Sequence, residues 1–157
     1  MSKVKTGGPA EKEATQQEER AERRLILKRL IVNSNVALTD FQRRVYTVTS
    51  VIPSGKVTTY GAISEVLSGS RRSARAVGQA LRRNPYAPAV PCHRVLDASL
   101  QMHGFFGKQD EEALTKKAIL LRKEGVIISK NGQVSKDHVV RTEELLIRLN
   151  EGLESRV

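Results

Sequence analysis

The stretch KVTTYGAISEVLSGSRRSARAVGQALRRNP, Lys56–Pro85, decides how this chain is folded. Thr59 stands just before an apolar-periodic run, where its hydroxyl can cap the free N–H groups of a helix start. Ala62, Ile63, Val66 and Leu67 then recur at helical spacing, which predicts a short helix with these four inward. Residues 68–73, SGSRRS, read as a turn carrying two arginines. ARAVGQALRRN, 74–84, reads as a second helix that stops before Pro85, because proline disfavours helical backbone in the residue before it. Two short helices joined by a small Gly/Ser turn make a helix-turn-helix candidate, though the pattern also describes helical hairpins that bind nothing.

Upstream, LTDFQRRVYTVTSVI places Thr39 three residues before Gln42, a capping-box pattern. Phe41, Val45, Val48 and Ile52 would form one buried face, and Pro53, Ser54 and Gly55 break the helix. Downstream, NPYAPAVP is extended, CHRVL (92–96) reads as a strand, and DASLQMHGFFGK can turn and return as its partner in a short β hairpin. EEALTKKAILLRKEGV is an amphipathic helix with Leu114, Ala118 and Leu121 inward. It ends at Gly125, with Arg122 and Lys123 suited to its negative dipole end. Asn131-Gly132 signals a hairpin, and KDHVVRTEELLIRLNEGL a terminal helix. The expected organisation is a polar tail over 1–34, largely disordered with room for a short helix, then a folded domain over 35–128. Residues 129–157 form a C-terminal extension with a hairpin and a helix. The fold class is α/β, mainly helical, of winged helix-turn-helix type.

Of the 157 residues, 27 are Lys or Arg and 17 Asp or Glu, a net charge of +10. Such a balance suits a polyanion as partner, most simply nucleic acid, with a generally basic protein as the plainer alternative. No apolar run approaches the roughly 20 residues of a membrane span, and the start is polar through Arg24, so neither a membrane segment nor a secretory signal is expected. One cysteine, Cys92, excludes an internal disulfide and a multi-cysteine zinc site. His93, His103 and His138 lack metal-ligand spacing, so no metal is expected. A lone thiol fits a reducing compartment.

A cysteine reacts as its thiolate, so Cys92 needs a proton acceptor, and His93 is adjacent. Neighbours on a strand point to opposite faces. His93 can therefore serve Cys92 only if the chain turns sharply there or a water bridges them. A carboxylate on the far ring nitrogen would orient the histidine; Glu124 is one candidate, which spacing alone cannot select. The plainer alternative is a cysteine that only packs.

Pro91–Val95, PCHRV, resembles the active-site motif of the O6-alkylguanine-DNA alkyltransferases. The resemblance extends through Phe41-Gln42, PSGKVTTY ending at Tyr60, RAVG at Arg75–Gly78, Asn84-Pro85 and Glu124-Gly125, in family order, and covers about Leu38 to Val126. It implies binding of double-stranded DNA carrying O6-alkylguanine, flipping of the damaged base out of the stack, and irreversible transfer of its alkyl group to the protein. No cofactor is used, and the protein acts once, as a monomer. By resemblance Cys92 is the acceptor, His93 deprotonates it through a water, Glu124 orients His93, and Tyr60 protonates or hydrogen-bonds the leaving guanine. Arg75 resembles the finger that fills the gap left by the base, with an ordinary phosphate contact as its plainer role. Asn84 and Pro91 brace the active-site turn. Ala74 and Gly78 are small enough for close approach to a minor groove, beside Arg71, Arg72 and Arg82 as phosphate contacts. Val95, Phe105, Phe106 and Gly107 would line the substrate pocket with Tyr60.

Three departures bear on substrate range and on the register of Glu124. Phe106 replaces a usually small residue, Leu100 stands where a hairpin glycine is common, and about five extra residues precede the Glu124 helix. Arg94 is read as structural. The competing functions are a non-catalytic alkyltransferase-like protein that marks lesions for another pathway, a helix-turn-helix regulator, and a cysteine hydrolase. The expected site of action is wherever the cell keeps its DNA, nucleus or nucleoid.

Overall fold

The computed structural model describes residues 9–14, 17–18, 37–102 and 111–154. The chain divides into two units, 1–36 and 37–157. In the first, residues 9–14 and 17–18 are helical and exposed, within the stretch expected as a largely disordered tail with room for a short helix; the rest of that stretch lies outside the described residues. Ala, Glu and Lys are strong helix formers, and Pro9 is tolerated in a first turn.

The second unit begins with α1, Asp40–Thr49. Thr39 caps it through both bonds of the expected box: Gln42 N–H donates to Thr39 Oγ1 at 3.1 Å, and Thr39 N–H to Gln42 Oε1 at 3.0 Å. Val45, Val48 and Ile52 are buried as the periodicity requires, together with Tyr46, while Phe41 is half-buried. Helix α2, Tyr60–Ser68, starts at Thr59, whose hydroxyl accepts from Ala62 N–H at 3.0 Å, and ends at Gly69 in the left-handed region. Ala62 and Ile63 are buried, but Val66 and Leu67 are only half-buried. The third fully inward position belongs to Ser64. Its hydroxyl donates to Ser70 O and accepts from Ser73 N–H, so a polar residue pins the turn into the next helix. A 3-10 turn, Arg71–Ser73, leads into α3, Ala74–Arg82, which buries Val77, Ala80 and Leu81. The Tyr46 hydroxyl, in the interior, donates to Ala80 O at 2.7 Å and ties α1 to the end of α3.

Pairing of the strands differs from the sequence expectation. Val95–Leu96 (β2) runs parallel to Thr58–Thr59 (β1), with Thr58 opposite Val95 and Thr59 opposite Leu96. Among the described residues it has no pairing with its own continuation, and residues 103–110 of that stretch lie outside the described residues. Cys92–Arg94 is a 3-10 turn, not strand. The antiparallel turn forms later: Ile128 bridges Val134 around Asn131-Gly132, and Gln101 bridges Gln133. Leu100 has φ 59° and is buried, so this non-glycine residue takes the left-handed backbone that a glycine usually fills.

Helix α4, Glu111–Lys123, buries Ala118 and Leu121, and Gly125 at φ 90° ends it; the side chain of Leu114 lies outside the described set. Residues 129–154 fold into the same unit as 37–128. Val57 N–H donates to His138 O and Val140 N–H to Val57 O, so the chain returns along the other side of β1. Helix α5, Thr142–Glu154, buries Leu145 and packs on α2. Val57, Leu96, Leu100, Met102, Ala118, Leu121, Val126 and Val134 form one core cluster. The sequence expected this last stretch as an extension beyond the domain; its Val134 is part of that cluster.

Candidate active site

Cys92 opens the 3-10 turn and is half-buried. Three backbone bonds tighten the chain around it: Cys92 N–H to Val90 O at 2.8 Å, Arg94 N–H to Pro91 O at 2.9 Å, and Val95 N–H to Cys92 O. Asn84 reinforces the approach. Its Nδ2 donates to Val90 O at 2.8 Å, the same carbonyl that Cys92 uses, and its Oδ1 accepts from Tyr86 N–H at 2.9 Å. Pro91 is buried directly before the thiol. The sharp turn needed for a histidine next to a reactive cysteine is therefore present, and neighbours here are not forced to opposite faces.

His93 is 6 % exposed, and its Nε2 lies 2.8 Å from Glu124 Oε1. The register of Glu124 survives the extra residues before its helix, because Gly125 stops α4 with Glu124 at its end. Arg94 grips the same carboxylate, Nε to Oε2 at 3.0 Å and Nη2 to Oε1 at 2.8 Å, and its Nη1 donates to Ile52 O at 2.7 Å. Burial pushes the Glu124 carboxyl up, but hydrogen bonds from His93 and Arg94, and their charge, outweigh it and hold the group at about 2.

Lys117 is half-buried, and its Nζ donates to Val95 O at 2.8 Å. Burial lowers its affinity for a proton, and the neighbouring Cys92 and Asp97 act in the opposite sense. The Tyr60 hydroxyl is held above its usual range by burial, then by Asp97 and Cys92, with Arg82 opposing. It therefore stays a protonated donor at neutral pH.

Tyr60, the first residue of α2, also lines an open groove of about 770 Å³ with Arg71, Ala74, Arg75, Gly78 and Arg82. Of the residues expected to contact DNA, Arg72 alone does not line it. Arg71 donates to Glu65 at 2.9 Å on the surface, a pairing worth little on its own. Gly78 faces the Tyr60 ring, with the nearest ring atoms 3.8 Å from where a Cβ would sit.

Val95 departs from expectation. Its side chain is fully buried in the core, and it meets the site through the carbonyl that Lys117 holds. Phe105, Phe106 and Gly107 lie outside the described residues. The sequence does not single out Lys117 and Asp97, and Arg94, which it marks as structural, is the residue that holds the Glu124 carboxylate. Lys117 carried a usable signal: it stands three after Leu114 and four before Leu121, on the apolar side of α4. Among the described residues no group of three His, Cys, Asp or Glu could hold a metal, and no helix is long and apolar enough to cross a membrane.

Residues 40–126 match the family described as 6-O-methylguanine DNA methyltransferase, DNA binding domain. A methylated-DNA--protein-cysteine methyltransferase of Mycobacterium leprae is 49% identical over 69 residues, 44% of this chain and 41% of that protein. A DNA base-flipping protein of Escherichia coli is 38% identical over 95 residues, 60% of this chain and 69% of that protein. The solved structure of S. pombe Atl1 in complex with damaged DNA containing O6-carboxymethylguanine superposes with a TM-score of 0.54 at 26% identity, covering 68% of this chain and 99% of that one. The alignment spans under half the length of the mycobacterial methyltransferases. With more than half of its residues inside the family match, the chain belongs to the 6-O-methylguanine DNA methyltransferase family through its DNA-binding domain.

Proposed function

We propose that this protein repairs DNA by direct reversal, taking the alkyl group of an O6-alkylguanine onto Cys92. One observation carries the reading: a half-buried thiol opens a tight turn whose next residue, His93, is held 2.8 Å from an ionised Glu124. The thiol proton passes to His93 through a water. The sulfur attacks the alkyl carbon, the S–C bond forms as the O6–C bond breaks, and the electron pair stays on the guanine. Tyr60, a protonated donor, hydrogen-bonds or protonates that leaving ring. The S–C bond is not reversed, so each molecule acts once, as a monomer, without cofactor.

The Arg71, Arg75 and Arg82 side of the groove receives the duplex. Arg75 fills the space the base vacates, and the small Ala74 and Gly78 let the helix approach the minor groove. The protein acts where the cell keeps its DNA, nucleus or nucleoid.

A second reading has a specific observation behind it. The lesion-bound S. pombe Atl1 is covered over nearly its whole length by this chain, and a base-flipping protein over two thirds of its length, so lesion binding without transfer is the alternative. Intact-protein mass spectrometry after incubation with an O6-methylguanine duplex decides between them. A gain of one methyl group on Cys92, absent in Cys92→Ala, is the expected result. No gain despite lesion-selective binding overturns transfer and leaves recognition.

A further inference from the structure

His93 and Glu124 are joined by a third member. Arg94 presents a two-point fork to the Glu124 carboxylate, with both side chains about one-sixth exposed. Its remaining terminal nitrogen is fixed on Ile52 O, just beyond α1. Glu124 Oε1 thus receives Arg94 Nη2 and His93 Nε2, each at 2.8 Å, while Gly55 N–H approaches Oε2 at 3.5 Å. A guanidinium fork is planar and matches a carboxylate in one orientation, which an ammonium does not do.

Two consequences follow for the ring. An ionised carboxylate only accepts, so the proton between Glu124 and His93 belongs to Nε2, and Nδ1 is left as the basic nitrogen. The guanidinium also offsets the carboxylate's charge. An isolated carboxylate beside the ring would favour the imidazolium, which cannot take a thiol proton.

We propose that Arg94 is a positioning residue for the activation of Cys92: it fixes Glu124 ionised and in place, so that His93 stands neutral, protonated on Nε2, with Nδ1 free to accept the thiol proton. The proposal rests on the alkyl-transfer reading for its kinetic arm. Among the described residues, Lys117 on α4, Tyr60 on α2 and Tyr46 on α1 interact electrostatically with Cys92, and none of the three is hydrogen-bonded to the Glu124 carboxylate.

The test uses the full chain with Arg94→Met and Arg94→Lys. Single-turnover transfer from free O6-benzylguanine is followed against pH, duplex binding is measured beside it, and the His93 tautomer is read by nitrogen-15 NMR. Arg94→Met should slow transfer by about 10- to 100-fold near neutral pH, within the range of general-base effects, and move the acid limb upward. Arg94→Lys, which keeps the charge and loses the fork, should recover part of the rate. Duplex binding should stay within about twofold, since the groove does not include Arg94. An unchanged rate and pH profile in Arg94→Met overturns the proposal. So does a loss of duplex binding equal to the loss of rate, which would mark a purely structural role. If the unaltered protein transfers nothing, the transfer reading fails, and the NMR arm still decides. A wild-type ring protonated on Nε2 that loses this preference in Arg94→Met supports positioning; an unchanged tautomer refutes it.

Discussion

Replacing Glu124 by Gln keeps the shape of the side chain and removes the charge that His93 and Arg94 share. The carboxyl titrates at about 2 in the fold against an ordinary 4.5. At about 1.4 kcal/mol per pH unit, that difference is worth about 3 kcal/mol of folding stability. The sign follows from the depressed value. The contribution is fully present above pH 4.5, where the unfolded chain is ionised, and it is lost as the pH falls toward 2. At neutral pH Glu124→Gln should therefore unfold more easily by about 2–3 kcal/mol, water relieving part of the cost of an unpaired guanidinium. On acidification the wild type should lose stability faster than the variant, until the two nearly meet near pH 2. Urea unfolding followed by circular dichroism, at steps from neutral pH downward, measures this. The comparison cancels the general acid lability of so basic a chain. A constant gap between the two proteins across the range would refute the reasoning, because it would mean that Glu124 is no more acidic in the fold than outside it.

Three further outcomes are expected. Tyr46→Phe removes the interior bond to the Ala80 carbonyl, which keeps only the Arg83 N–H at 3.2 Å, and should cost about 1 kcal/mol in the same urea assay; an unchanged midpoint would show that the bond adds nothing. Gly55→Ala combines φ 82° with a Cβ only 3.0 Å from Glu124 O, and should destabilise by about 1–2 kcal/mol and slow transfer through Glu124; a neutral result would mean the loop relaxes freely. Arg75→Ala should slow transfer from duplex DNA more than from free benzylguanine, and equal losses would remove any role in filling the duplex.

The parts of the molecule that depend on local pattern were legible in the chain. Thr39 with Gln42 and Thr59 before Tyr60 mark helix starts because the capping groups lie within four residues of each other. The candidate site was legible where a motif fixes it, at Cys92, His93 and Asn84. It was not legible where distant backbone sets the geometry. Nothing near Val95 announces that it pairs in parallel with Thr58, 37 positions earlier, or that Cys92–Arg94 forms a turn just before that pairing. Period-two reasoning consequently points Arg94 away from His93, whereas the turn brings both onto Glu124. The family resemblance puts Val95 in the pocket, whereas its side chain is fully buried in the core. Ser64 inverted the usual signal, since a serine on an apolar face reads as a gap in the pattern until its two backbone partners are known.

The placement of Tyr60 bears on how DNA could reach the thiol. Arg71, Arg75 and Arg82 line the groove, so a duplex held by its phosphates would rest there, but Cys92 is not among the residues that line it. Tyr60 belongs to both places: its ring walls the groove opposite Gly78, and its hydroxyl responds to Cys92 and Asp97. On the proposed alkyl transfer, a base stacked in a duplex resting on those arginines would not meet the sulfur, and one that leaves the stack would pass the phenol, which its surroundings keep protonated and able to donate. The small Ala74 and Gly78 then matter for distance as much as for fit, since each missing methylene lets the duplex sit closer to that passage. On this geometry, enlarging Gly78 should slow reaction with duplex substrate while leaving free benzylguanine, which needs no extrusion, almost unaffected. A parallel loss on both substrates would place Gly78 in the acceptor pocket itself and break the link between groove and base extrusion.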